Sequence, residues 1–283
     1  MKKFLYLFFV LSLGLFAGCE EISPEINPQM GPNTDPDDPS PVEDQPRQVL
    51  IEEFTGVRCV NCPDGSEAIE TLLNIHGEQL VAVSIHSSGS FSVPNDENAY
   101  DFRTTEGDNI LSFLGEPIGY PTAVVNRKKF PDEFDLQLGK GQWAGYIAEE
   151  AALPPKVRIG IEPSYDVNSR DLSVDVALYV EETITGEARL SVMLLENDIT
   201  DAQVTPDGLE EGYKHKHVLR DMLTNYDGDI IPEELAADAE IEKSFDTTIP
   251  ADWVDSNVSI VVFVSLAGEV KDVLQAHQVK MVE

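Results

Sequence analysis

Cys59 and Cys62 stand in the pattern Cys59-Val60-Asn61-Cys62-Pro63, and this spacing carries the chemistry that the sequence offers most directly. At the start of a helix, Cys-x-x-Cys sets two sulfurs one turn apart, close enough to join. The first sulfur lies near the unpaired N–H groups and the positive dipole end of the helix. That position favours thiolate, lowers the first thiol's pKa and makes it the attacking group. Arg58, next to Cys59, adds a positive charge with the same effect, while Glu52, Glu53, Asp64 and Glu67 oppose it. Two other readings stay open. The pair is a structural disulfide, as exported proteins often carry, although so small a loop adds little chain-entropy stabilisation. Or it is half a zinc site completed by His215 and His217, whose spacing puts both rings on one face of a strand.

The elements that must position the pair follow from the pattern around it. Val49 to Thr55 reads as a strand and Gly56 to Arg58 as a turn. Asp64 to Ile75 is a helix with apolar Ala68, Ile69, Leu72, Leu73 and Ile75. Pro63 suits its first turn. Leu80 to His86 is a short apolar run of buried parallel-strand type, so strand, helix and strand form a right-handed βαβ unit. His86 ends the second strand at the sheet edge where ligand sites gather. It is a candidate proton-transfer assistant, or a strand-end histidine bonded to backbone. Residues 96–115 hold a helix with Gly115 as its cap. Asn126 to Lys129 is a hairpin tip, and Trp143 to Leu153 is a helix stopped by Pro154-Pro155.

This arrangement resembles the thioredoxin fold. Gly119-Tyr120-Pro121-Thr122 before the apolar run Ala123-Val124-Val125 strengthens the likeness, because thioredoxin-like proteins place a cis-proline there. The resemblance implies Cys59 as nucleophile, Cys62 as resolving thiol, Glu53 as buried proton relay and Pro121 as substrate platform. It implies no cofactor and no metal. The inter-cysteine pair Val60-Asn61 and Arg58 both depart from the usual thioredoxin residues, which leaves reductant, oxidant and isomerase open.

Beyond Lys156 the pattern alternates. Leu172-x-Val174-x-Val176-x-Leu178-x-Val180 has period two, Leu190-x-Val192-x-Leu194 repeats it, and Val258 to Leu266 and Val273 to Val282 are further strands. An all-β sandwich, immunoglobulin-like but without a Cys…Trp…Cys core, is expected. Asn225, Asp227, Asp229, Glu233 and Glu234 lack the spacing of a calcium loop and read as a solvated acidic loop.

The N-terminus reads as an address. Lys2 and Lys3 precede an apolar run ending at Phe16, then Ala17, Gly18 and Cys19. This is a secretory signal, too short for a membrane span. Leu15 to Cys19 resembles a bacterial lipobox, which implies lipidation (palmitate) of Cys19. Residues 20–46 contain seven prolines, eight acids and no Lys or Arg, a composition that cannot fold alone and that reaches at most ~80 Å as polyproline II. The expected organisation is signal peptide 1–18, lipidated Cys19 with a disordered tether over 19–46, a thioredoxin-like domain over 47–154 and a β-sandwich over 155–283.

The chain has 283 residues, with 19 Lys plus Arg against 52 Asp plus Glu and a net charge of −33. That excludes nucleic acid as a partner, since phosphate binding needs clustered cations, and binding to anionic lipid through a basic face. The whole order, from lipobox and tether through Glu52 to Pro63 and Gly119 to Thr122 to His215-Lys216-His217-Val218-Leu219-Arg220-Asp221, resembles the Bacteroidetes outer-membrane lipoproteins related to the 28-kilodalton outer membrane protein. It implies a lipid-anchored outer-membrane protein on the periplasmic or cell-surface face. Two functions follow as expectations: thiol–disulfide exchange with the thiols or disulfides of exported proteins, or a non-catalytic binding or assembly module within an outer-membrane complex.

Overall fold

The computed structural model describes residues 42, 44–117 and 119–282. The signal segment and Cys19 lie outside them, as does most of the expected tether. The described chain is β-rich, with all three α-helices in its first half.

The first half runs β1 (Val49–Thr55), α1 (Cys62–His76), β2 (Leu80–His86), α2 (Thr105–Leu114), β3 (Thr122–Val125), β4 (Leu138–Gly139) and α3 (Lys140–Ala151). β1 pairs parallel with β2 and antiparallel with β3, and β3 pairs antiparallel with β4. Every residue of β1 and β2 is buried, because helices cover both faces. Val49 and Ile51 pack with Ile69, Leu72, Trp143 and Ile147 of α1 and α3. Leu50 and Phe54 face the other way, onto Ile110, Leu111 and Leu114 of α2. Thr104 caps α2 by accepting from the Gly107 N–H at 2.9 Å, and Gly115, at φ 96°, ends it. Ile75, expected on the apolar face of α1, is exposed.

The second half runs β5 (Val157–Tyr165), β6 (Asp171–Val180), β7 (Ala188–Glu196), β8 (Ile199–Thr205), β9 (Gly208–His215), β10 (Val218–Met222), β11 (Asp229–Ile230), β12 (Glu240–Thr248), β13 (Val258–Leu266) and β14 (Val273–Lys280). β12, β6 and β5 form a three-stranded sheet that shares a core with β7, β13 and β14. The period-two residues Leu172 to Val180 and Leu190 to Leu194 supply that core, as their alternation predicts. β13 is apolar except for Ser259 and Ser265 because both its faces are covered: Ile260 and Val262 face this core, while Val261 and Phe263 face α2.

The halves are not separate. One nine-stranded mixed sheet has the order β14-β13-β7-β10-β2-β1-β3-β4, with β11 added on β7. The join is short: Val218 of β10 lies parallel beside Ser84 of β2, and the Ser84 N–H donates to His217 O at 2.7 Å. The composition change at 154/155 therefore marks a change from helix-covered to sandwiched strands within a continuous sheet, rather than a gap.

Two local expectations are corrected. Asn126 and Arg127 are not an exposed hairpin tip. Both take left-handed backbone, φ 49° and 50°, and both are buried. The Asn126 amide accepts from the Leu50 N–H and donates to Glu150. Arg127 grips Glu52 through two hydrogen bonds of 2.7 and 2.9 Å and lies 4.7 Å from the centre of the Phe263 ring. The tether also ends earlier than 46. Gln45 pairs its amide with both the N–H and C=O of Ile159, and Gln275 donates to Gln45 and to Pro46 O.

Candidate functional site

Cys59 and Cys62 form a disulfide with Cα atoms 5.3 Å apart. The turn Gly56 to Asn61 delivers them: the Cys59 N–H donates to Gly56 O and the Cys62 N–H to Cys59 O. Cys62 opens α1, with Pro63 in the first turn where no N–H is required. Both sulfur-bearing residues are buried, Cys59 at 3% exposure and Cys62 at 1%.

The cover comes from the other half of the chain. β8 and β9 form a two-stranded hairpin outside both larger sheets. The Gln203 amide at its centre donates to Gly56 O and Cys59 O, each at 3.2 Å, and the Val204 N–H donates to Val57 O. Asp201 holds the hairpin's base by accepting from the Ala99 and Tyr100 N–H groups. Where β9 leaves the hairpin, Lys216 and His217 both reach Glu70 on α1, at 2.5 and 3.0 Å.

Glu53 lies on β1 opposite Ser84 of β2 and is fully buried. Its Oε2 accepts from Ser84 Oγ at a long 3.4 Å, and Oε1 has no partner among the described residues. Burial pushes its carboxyl up to about 8, against the lowering pull of the Ser84 and Ser66 hydroxyls. The carboxyl is thus neutral at pH 7 and able to donate a proton.

The Tyr120–Pro121 bond is cis. Pro121 and Glu53 meet at Gly65 in the first turn of α1. A Cβ on Gly65 would come within 2.6 Å of Glu53 Oε1 and 2.7 Å of Pro121 Cβ. Cysteine helix, buried acid and cis-proline therefore close on one residue that must be glycine. Gly65 was missed in the sequence, although a glycine inside a helical pattern, at about 1 kcal/mol against alanine, asks for such a packing reason.

Arg58 is exposed, and its guanidinium donates to Pro94 O at 2.5 Å. His86 is buried at the end of β2, with its ring 5.1 Å from Phe102 and 6.1 Å from His215. Burial, reinforced by His215, holds its pKa down to about 3 despite Asp101. Its Nδ1 has no partner among the described residues. Burial likewise holds His215 at about 4, although Asp201 and hydrogen bonds to the backbone of Ala202 and Asp201 pull upward. The His215 Nε2 has no partner among the described residues. His215 and His217 do not share a strand face. His217 leaves the strand at φ 55° to meet Glu70.

A cavity of about 570 Å³ lies between α1 and β9. Glu53, Cys62, Ser84, His86, His215 and Gln203 line it, and Cys59 does not. The arrangement joins a disulfide, a neutral buried acid and two neutral imidazoles around one space. Among the described residues no three His, Cys, Asp or Glu side chains are placed to hold a metal ion.

The family model "Outer membrane protein Omp28" matches residues 116–283, more than half of the chain. The chain belongs to the Omp28 family. Membership places it at the outer membrane. Among the described residues no helix is long and apolar enough to cross a membrane. A search of the curated proteins found no match. Among solved structures, HBP35 of Porphyromonas gingivalis is similar at 18% identity and a TM-score of 0.67, over 83% of this chain and 76% of that one. A protein from Agrobacterium tumefaciens is similar at 14% identity and a TM-score of 0.53, over 84% of this chain and 96% of that one. A domain of the outer membrane lipoprotein Omp28 from Porphyromonas gingivalis matches at 18% identity and a TM-score of 0.32, over 45% of this chain and 88% of that one. The Omp28 match begins after the cysteine pair. It contains Pro121, Gln203 and His215, and excludes Glu53, Cys59, Cys62 and His86.

Proposed function

We propose that this Omp28 family member is a lipid-anchored thiol–disulfide oxidoreductase acting on exported thiols or disulfides through Cys59 and Cys62, with Cys19 as the lipidated residue. The observation that carries it is the meeting of the disulfide helix, the neutral Glu53 and the cis Pro121 at Gly65. The order β2-β1-β3-β4, with helices on both faces, supports reading residues 47–154 as a thioredoxin-like unit. The shared core of the three-stranded sheet and β7-β13-β14 supports reading 155–283 as an immunoglobulin-like sandwich. In this reading Glu53 passes its proton to the thiolate released when the disulfide opens, and takes it back when the disulfide closes. Arg58 and His86 are assisting residues only.

The burial of both cysteines favours a second reading, a binding or assembly module whose disulfide is structural. Equilibrating the full-length chain in thiol redox buffers decides between them. A potential between about −120 and −270 mV is expected of a working pair, and one below about −300 mV would mark a structural bridge and favour the module.

A further inference from the structure

The disulfide is closed to large partners on the side where an attacking thiolate ordinarily arrives. Cys59 lies beneath the β8–β9 hairpin, whose Gln203 bonds the carbonyls on either side of the turn. The hairpin's base is tied down on both strands, by Asp201 of β8 and by the Glu70 contacts of Lys216 and His217 just after β9. The cavity between α1 and β9 instead reaches the pair from the side of Cys62. Its volume, about 570 Å³, falls in the range of small-ligand pockets and below what a folded protein needs.

The walls also specify polarity. Glu53 Oε1, His86 Nδ1 and His215 Nε2 are buried without partners among the described residues. Buried polar atoms of this kind cost free energy until an occupant bonds them. At the rim Lys216 is paired with Glu70, leaving the carboxylates of Glu67 and Glu210 against Lys214. The whole chain carries −33, which concentrates cations and repels anions.

We propose that this cavity is a substrate site for small cationic aminothiols and their disulfides, and that exchange takes place at Cys62 rather than Cys59. The proposal rests on the redox reading above and reassigns which sulfur is attacked. The thiolate of one aminothiol attacks Cys62 Sγ. The Cys59–Cys62 bond breaks, its electron pair leaves on Cys59 Sγ, and Cys59 takes up a proton. A second aminothiol thiolate then attacks the aminothiol sulfur of the mixed disulfide and releases Cys62, which is protonated in turn. Two thiols are oxidised to one disulfide, the protein disulfide is reduced to two thiols, and the two protons lost by the aminothiols balance those gained by the cysteines. Glu53, on the same cavity wall as Cys62, is placed to supply the second proton, to Cys62, and recover it from solvent.

The test uses the full-length oxidised chain, brief exposure to cysteamine, acid quench and peptide mapping of the mixed disulfide. Cysteamine on Cys62 is expected, and cysteamine on Cys59 would overturn the proposal. Cys59→Ser and Cys62→Ser chains, checked for folding by circular dichroism, are then treated with cystamine, glutathione disulfide and a polyethylene-glycol-linked pyridyl disulfide. Cys59→Ser should take up cysteamine about tenfold faster than it reacts with anionic glutathione disulfide, and about tenfold faster than Cys62→Ser takes it up, with the polymer reagent excluded from both. Equal rates for cystamine and glutathione disulfide would overturn the aminothiol assignment, and ready reaction with the polymer would overturn the size limit. A potential in the structural range with cysteamine still mapping to Cys62 would sink the redox reading alone. A working potential with cysteamine on Cys59 would sink this inference alone.

Discussion

Glu53→Gln should stabilise the folded chain, increasingly so as pH rises. The carboxyl is buried against the strand pair β1 and β2 with one weak partner, and burial moves it from the ordinary 4.5 to about 8. Above pH 4.5 the unfolded chain has released this proton, whereas the folded chain keeps it until about pH 8. The folded state therefore binds more protons throughout that window, and stability falls as pH rises through it. Each pH unit inside the window costs ~1.4 kcal/mol, so the penalty is below ~1 kcal/mol at pH 5 and ~3 kcal/mol at pH 7. Near and above pH 8 it levels off at ~5 kcal/mol. Glutamine occupies the same volume and cannot titrate, so it removes the slope. The assay is urea unfolding of both chains, disulfide intact, at each pH unit from 5 to 8. Other titrating groups are common to both chains and cancel in the difference. A difference that does not grow with pH would refute the argument, because a carboxyl that ionises normally in the fold imposes no such slope.

Two further substitutions test how the site is held. Arg127→Met leaves Glu52 buried without its guanidinium and should cost about 3–5 kcal/mol in urea unfolding, whereas adding Glu52→Leu should restore most of that loss, since it is the orphaned charge that destabilises. Gly65→Ala drives a methyl group into Glu53 Oε1 and Pro121; it should cost about 1–3 kcal/mol and alter the rate at which dithiothreitol opens the disulfide, and an unchanged midpoint would show that the first turn of α1 has room to shift.

Much of the fold was legible where burial imposes a period. The strand over 172–180 shows one buried face and reads as strict alternation. β13 shows two buried faces and reads as a nearly unbroken apolar run ending at the predicted residue, Leu266. The helix after Cys62, its proline and the Gly115 cap were readable from local chemistry. The β8–β9 hairpin was not. Its strand β9 is exposed over most of its length, so no hydrophobic period marks it, and its hold on the cysteine turn depends on the Gln203 amide and the Val204 N–H, neither of which has a local signature. The buried turn at Asn126 and Arg127 was hidden for a related reason. Asparagine, arginine and two lysines in a row read as solvated, and only the tertiary partners Glu52 and Glu150 make burial tolerable.

The same reasoning explains why the chemistry at Cys59 and Cys62 cannot be assigned to the first half of the chain alone. Glu53, Ser84 and Val218 stand side by side on β1, β2 and β10, so the strand that joins the halves borders the strand that carries the partner of the buried acid. Tyr213 of β9 and Ser66 of α1 line the same cavity as Glu53. Remove β8 to β10 and water reaches the Glu53 carboxyl, the cause of its raised pKa disappears, and the cavity loses the wall that carries His215. The cysteine loop and its acid are thus encoded before residue 90, but the dryness that makes the acid a proton donor at pH 7 is encoded beyond residue 198. A chain built this way couples the surroundings of its disulfide and buried acid to the integrity of the continuous sheet.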